Sequence, residues 1–212
     1  MNAMDIARLP KQARSRLTLH RLLSAAEALL DHGGLEAATV PAIARAAGVS
    51  VGVVYRRFPD KDMLLRAVYE RAFQNIAQQN VSKLQQVATI DLPLPALVRG
   101  MVKGIAEGYR RKRNLLRALT RYARTHHDPE FRELARKMNR ATLFSVVALL
   151  LRHRDEIRHP NPEVAIEFGL LAVSSVLHLL ILEEEPSAGI RPPDQFEEEL
   201  TRMFLAYLGV TE

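Results

Sequence analysis

Helical periodicity runs through almost the whole 212-residue sequence and constrains the fold more than any other feature. Apolar residues recur at spacings of three and four, as Leu22, Ala26 and Leu30 do in the first periodic stretch. No stretch alternates apolar and polar residues with an excess of β-branched side chains, which is the pattern of a strand. The sequence therefore predicts an all-α fold.

Glycines, prolines and capping side chains divide this periodic sequence into helices. Gly33-Gly34 and Gly48 are suited to ending the first two, and Thr39, Ser50 and Asp60 are suited to capping the three that follow. The same signals continue to the end of the chain. They predict about nine helices, at roughly 14–32, 39–48, 50–58, 61–84, 95–112, 114–126, 129–156, 162–184 and 194–208.

The composition is that of a globular protein, with 48% hydrophobic and 25% charged residues. The longest nearly apolar run, residues 168–182, contains Ser174, Ser175 and His178 and is shorter than the roughly 20 residues that a membrane helix needs. The N-terminal residues contain no apolar signal-peptide core. The lack of cysteine excludes disulfides, thiolate metal sites and cysteine-based redox sensing. We therefore expect a cytoplasmic protein without a membrane span.

Basic residues are concentrated in the first third of the chain. The formal net charge is +6, and residues 1–66 contain 10 Lys and Arg against 6 Asp and Glu. This distribution favours a partner with a phosphate backbone near the N-terminus, although a net charge of this size more often serves solubility than nucleic-acid binding. An N-terminal arm with Arg8, Lys11, Arg14 and Arg16 either adds minor-groove or phosphate contacts or is a disordered basic tail.

Residues 39–58 fit two short helices packed across a turn. Ala44 is small where the helices approach, and Gly48 provides the turn. Ile43, Val49 and Val54 are spaced to be buried between the helices. This pattern predicts a helix-turn-helix whose second helix enters the major groove of double-stranded DNA. The residues left on its exposed face and flanks are Ser50, Val51, Gly52, Val53, Tyr55, Arg56 and Arg57.

The segment resembles the TetR family of regulators across about residues 14–75. The matching residues are Thr39, Ile43-Ala44, Ala47-Gly48-Val49-Ser50, Gly52, Tyr55, Phe58, Lys61 and Leu64. The resemblance implies that Thr39, Tyr55 and Lys61 contact phosphates and that the face from Val51 to Arg57 meets bases. Arg56 or Arg57 can reach guanine O6 and N7, and the sequence does not decide between them.

We expect two domains. Residues 1–60 would form the arm and the three-helix DNA-binding domain, and residues 61–212 a larger helical domain for ligand binding and dimerisation. The helix at 61–84 would connect the two domains.

The predicted last helix carries an apolar stripe, and the helix before it is apolar around most of its circumference. Such helices need a partner on more than one side, which we expect to lie outside the chain. In the family, these two helices pair with their copies in a four-helix bundle, so the resemblance implies a homodimer. The predicted interface residues are Phe196, Leu200, Met203, Phe204 and Tyr207.

Ser174 and His178 lie four residues apart on the otherwise apolar penultimate helix, so both need polar partners. They contact either a ligand or a neighbouring helix. Met101, Tyr109, Tyr122 and Phe144 are further candidates for the lining of a cavity for a small hydrophobic ligand, with ordinary core packing as the alternative.

No catalytic motif, cofactor site or metal site is predicted. His126, His127 and Asp128 with His153 or His159 could suggest a metal, but adjacent histidines point apart and Asp128 suits a helix cap. We expect a repressor that leaves a pseudo-palindromic DNA operator when the ligand binds. The alternatives are a ligand-independent DNA-organising or cell-cycle protein and, less well supported, an enzyme.

Overall fold

The structure, a computed structural model, describes residues 11–125, 129–183 and 195–210. These residues form α-helices and one 3-10 helix, and none of them forms a strand, which confirms the expected all-α class. The α-helices are α1 Lys11–Ala37, α2 Val40–Ala47, α3 Val51–Tyr55, α4 Lys61–Ala88, α5 Leu94–Arg111, α6 Arg113–Thr125, α7 Pro129–Leu150, α8 Pro162–Leu182 and α9 Phe196–Leu208, and the 3-10 helix spans Leu151–Glu156.

Most helix boundaries lie where the sequence places a capping or breaking residue. Gly33 and Gly34 have non-helical backbone angles and kink α1, with φ of 66° at Gly34. The predicted helix at 129–156 is wrong in its last turns, because α7 ends at Leu150 and a 3-10 helix follows. The predicted cap Asp128 and the predicted start of the last helix at residue 194 lie outside the described residues.

Two hydrophobic cores stack along the molecule. The first is formed by α1 to α4 together with one face of α6, which contributes Leu115, Leu119 and Tyr122. The second is formed by α5, α8, α9 and the end of α7. α6 was expected to belong to the larger domain alone, but it packs along α1 and thereby joins the two cores.

One side of the last helix is buried within its own chain. α9 packs on α5 and α8, and Leu200 and Phe204 are 6% and 0% exposed. The expectation that the stripe on α9 lacks a partner inside the chain is therefore wrong for these two residues. Gly169 makes the contact possible, because a Cβ at this position would lie 1.9 Å from the Phe204 ring.

α8 is longer than the apolar run counted in the sequence. By length and composition this 21-residue helix could cross a membrane, with a mean hydropathy of 2.1 over its most apolar window. A core helix of a soluble protein meets the same criterion, and Ala165, Ile166, Val173 and Leu177 of α8 lie inside the second core.

Candidate nucleic-acid interface

The turn between α2 and α3 has the geometry of a helix-turn-helix. The Thr39 hydroxyl caps α2 by accepting a hydrogen bond from the Ala42 amide at 3.3 Å. Gly48 takes a left-handed conformation with φ of 68°, which glycine adopts without strain. The Val49 amide then donates to the Ala44 carbonyl at 3.0 Å and closes the turn. The local sequence thus sets the angle at which α3 leaves the domain.

Burial divides α3 into a core side and an open side. Val54 is buried together with Ile43 and Ala44 of α2, whereas Val49 is only partly buried. Tyr55 is 52% exposed on the opposite side. Six other residues on the exposed face and flanks of α3 were predicted to contact DNA. Four are exposed, namely Ser50, Val51, Gly52 and Arg56, and two are half-buried, namely Val53 and Arg57.

Ser50 does not cap α3 as expected. Its backbone is extended and its carbonyl accepts a hydrogen bond from the Val53 amide at 2.9 Å, but its side chain makes no capping bond. The exposed hydroxyl remains available for a partner outside the chain.

The two arginines that follow Tyr55 differ in their surroundings. Arg57 Nη2 donates to the Ser15 hydroxyl of α1 at 2.7 Å, which ties this half-buried side chain to the domain. Arg56 is exposed, and its Nε makes a long bond of 3.4 Å to the Gly52 carbonyl one turn earlier. Arg56 therefore has more freedom to extend towards a base edge.

Lys61 is half-buried at the start of α4. Its Nζ donates to the Leu35 carbonyl at 3.3 Å, so the ammonium group holds the segment that follows the glycine kink. Asp60 caps the same helix by accepting from the Met63 amide at 2.7 Å. A phosphate contact by Lys61 requires this ammonium group to share or exchange its carbonyl partner.

Polar contacts fix α1 and the start of α4 to α6 and to Lys112, the residue before it. Asn114 Nδ2 donates to the Asp31 carbonyl at 2.8 Å, and Lys112 Nζ lies 3.2 Å from a Glu27 carboxylate oxygen. The Tyr122 hydroxyl donates to the Asp62 carbonyl at 3.2 Å. Tyr122 is thus part of the first core and does not join the other candidate ligand residues.

Of those candidates, the structure brings Tyr109 and His178 together. Their ring centroids are 6.3 Å apart in an edge-on arrangement, and burial raises the pKa of Tyr109. His178 Nε2 also lies 3.9 Å from a Glu183 carboxylate oxygen. Ser174 and Met101 are half-buried on the same two helices, whereas Phe144 is 57% exposed on α7.

Two open concavities border α1 in the first core, and neither is lined by any of the six candidate ligand residues. Of the residues considered for a metal site, His153 pairs with Glu156. No group of three potential metal ligands occurs among the described residues. His126, His127 and Asp128 lie outside the described residues.

An exposed apolar surface covers the outer sides of α8 and α9. We call it the α8–α9 face and define it by Val164, Phe168, Leu171, Met203 and Tyr207, all of which are exposed. The Phe168 and Tyr207 rings are in contact, with centroids 5.6 Å apart. Sequence reasoning named Met203 and Tyr207 but missed the three α8 residues, whose spacing of four and three was the available signal.

Comparison with known proteins matches both halves of the chain to one family. Residues 22–68 match the family described as "Bacterial regulatory proteins, tetR family", and residues 93–208 match "Tetracyclin repressor-like, C-terminal domain". The HTH-type transcriptional regulator BetI of Stenotrophomonas maltophilia (strain R551-3) is 31% identical over 81% of this chain and 84% of its own. The HTH-type transcriptional repressor KstR of Rhodococcus jostii (strain RHA1) is 45% identical over 56 residues, 26% of each protein.

Solved structures agree with the same fold. A transcriptional regulator from Rhodococcus sp. Rha1 has a TM-score of 0.61 and 25% identity, and the match covers 90% of this chain and 96% of that one. The fatty acid degradation regulator FadR from Bacillus halodurans has a TM-score of 0.62 over 91% of this chain and 95% of its own, but at 15% identity it shares the fold alone.

Proposed function

Because this chain belongs to the TetR family of transcriptional regulators, which bind DNA through a helix-turn-helix, we propose that it is a repressor that occupies a pseudo-palindromic operator as a homodimer. The observation that carries the proposal is the open side of α3, where Tyr55 and Arg56 are exposed while Val54 anchors the helix in the core. Such a surface can enter a major groove without unfolding any part of the domain.

Selection of bound duplexes from random sequence with the full chain tests the proposal. We expect one enriched sequence with two related half-sites, because a two-fold dimer presents two copies of α3. Tyr55→Ala should weaken binding to the selected and to a shuffled duplex nearly equally, since a phosphate contact positions the protein without reading bases. Phe144→Ala, which removes an exposed aromatic side chain far along the sequence, should change neither affinity. The absence of any enriched sequence would contradict the proposal.

We propose a second copy of this chain as the partner of the α8–α9 face. The face is apolar, and it extends over both helices that the family pairs across a two-fold axis. Burial of its side chains removes apolar surface from water at roughly 25 cal/mol per Å². Leu171, at 63%, has the largest exposed fraction of the five residues that define the face.

We propose that a small, largely apolar molecule releases the DNA by binding at the contact between α5 and α8. Tyr109 and His178, whose rings are in contact, and Ser174 would supply polar groups, and Met101 of α5 would supply apolar surface. α6 then offers a route to the DNA-binding segment, because Arg117 Nε donates to the Leu182 carbonyl at the end of α8 while Asn114 contacts α1. A compound that releases the selected duplex should lose this effect in His178→Ala; equal release from both proteins would contradict this site.

A ligand-independent regulator is the second candidate. It is favoured by the position of the two concavities described above, which border α1 and are lined by none of the candidate ligand residues. The same release screen distinguishes the two candidates.

A further inference from the structure

A basic concavity lies between α1 and the end of α2, apart from the open side of α3. It has a volume of about 600 Å³ and is open to solvent, and its wall includes His20, Arg21, Arg45 and Gly48. None of the residues that line it is acidic. We call Arg21, Arg45 and the surface between them the arginine concavity.

The charges in this concavity are uncompensated. Neither Arg21 nor Arg45 has a side-chain hydrogen-bond or ion-pair partner within residues 11–125, 129–183 and 195–210. A third guanidinium supports the wall, because Arg71 of α4 donates to the His20 carbonyl at 2.9 Å and to the Ser24 hydroxyl at 2.7 Å. In the neighbouring concavity, by contrast, Glu27 is paired with Lys112. The arginine concavity is therefore suited to an anion.

Its position makes the DNA backbone the anion within reach. Gly48 forms part of the wall and precedes Val51, the first residue of α3, by three positions. Three residues span at most about 10 Å of chain. The major groove that α3 enters is about 12 Å wide and has phosphates along both edges. Gly48 therefore lies within about 10 Å of the start of α3, a distance comparable with the width of that groove.

We propose that Arg21 and Arg45 form a second phosphate-binding surface, which holds the DNA backbone beside the groove that α3 enters. This inference rests on the proposed function, because the phosphate that the two arginines bind belongs to the operator duplex. Interactions of this kind release counterions and set register but do not read sequence.

The test uses the full chain, the selected duplex and a shuffled duplex, with affinity measured across a range of salt concentrations. In the double variant Arg21→Gln, Arg45→Gln, the slope of log K against log salt should become shallower by about 0.9 for each phosphate that the protein no longer neutralises. For one such phosphate, the fall in affinity over a fourfold rise in salt should be about 3.5-fold smaller. The ratio of the two affinities should stay unchanged. Arg45→Lys should restore most of its share of the slope, because a lysine also binds phosphate as a point charge.

Arg154→Gln is the matched control, since it removes the same charge from an exposed position outside the DNA-binding segment, and it should leave the slope unchanged. An unchanged slope in the double variant, with its helical content and unfolding midpoint preserved, would overturn the proposal. A second result would also overturn it. If inorganic phosphate raised the unfolding midpoint of the unmodified chain but not of the double variant, while the two proteins had equal slopes of log K against log salt for DNA, the site would bind a free anion. Failure of the unmodified chain to bind any duplex would instead reject the proposed function, and this surface with it.

Discussion

Arg56 and Arg57 are adjacent in the sequence but unequal in their freedom to meet a base. Arg57 is bonded to Ser15 of α1, so moving it into a groove costs that bond, whereas Arg56 is exposed and makes a long bond to the Gly52 carbonyl. The sequence pattern left both arginines as candidates. The structure separates them because the bond from α1 joins residues 42 positions apart.

Arg56→Ala should relax the preference at one base pair of the selected sequence and cost on the order of 1–3 kcal/mol there. Arg57→Ala should lower the affinity for the selected and shuffled duplexes alike. Competition binding with single-base variants of the selected duplex measures the difference. Ser15→Ala, which frees Arg57 without removing it, is the control and should leave base preference intact. A changed preference in Arg57→Ala with none in Arg56→Ala would reverse the assignment.

Of the three caps named in the sequence before α2, α3 and α4, Thr39 and Asp60 form the predicted bond and Ser50 does not. Thr39, Asp60 and Asn161 each accept a hydrogen bond from the amide three positions later. Both partners of such a bond lie in one turn, so the sequence contains all the information that the bond requires. Lys61 was less predictable because its partner, the Leu35 carbonyl, is 26 positions away.

At the scale of helices, periodicity identified which faces are buried but not which neighbour covers them. The sequence pattern offered Tyr122 of α6 as a lining residue of a ligand cavity, but α6 packs on α1 and Tyr122 lies in the first core. The stripe of α9 likewise divides between two environments, because Leu200 faces its own chain while Tyr207 faces outward. A hydrophobic stripe is compatible with any apolar partner, so only the three-dimensional arrangement decides between them.

The crossing of α8 and α9 depends on the missing side chain at Gly169. Gly169→Ala would place a Cβ within 2 Å of the fully buried Phe204 ring, so either the ring or a helix must shift. We expect a decrease of about 1–3 kcal/mol in the free energy of unfolding, the usual range for overpacking. Denaturant titration followed by circular dichroism gives this quantity.

Gly104→Ala is the control for this prediction. Gly104 is also inside a helix, but a Cβ there would meet nothing within 4 Å. Because alanine favours helix over glycine by up to about 1 kcal/mol, the control should be as stable as the unmodified chain or more stable. Equal stability of the two alanine variants would show that α8 and α9 separate without cost.

At the scale of the whole molecule, the α8–α9 face and the open side of α3 would belong to one assembly in the proposed homodimer. A dimer that forms through the α8–α9 face presents two copies of α3. Once one α3 is bound to its half-site, the effective concentration of the other α3 at the second half-site is raised. α6 connects the two ends, since Lys112 and Asn114 near its start contact α1 and Arg117 contacts the end of α8. Dimer formation and operator affinity should therefore disappear together.

Leu171→Asp tests this coupling, because Leu171 is exposed in the protomer and would be buried only between two copies. A carboxylate there would be an unpaired charge in an apolar interface, at a cost of several kcal/mol that acts twice across a two-fold axis. Sedimentation should show a folded monomer with little affinity for the selected duplex. Leu200→Asp is the contrasting variant, since Leu200 lies in the protomer's own core and a charge there should unfold the chain. If Leu171→Asp remained a dimer at micromolar concentration, another surface would have to join the two copies, and the spacing of the two α3 helices would have to be derived from that surface.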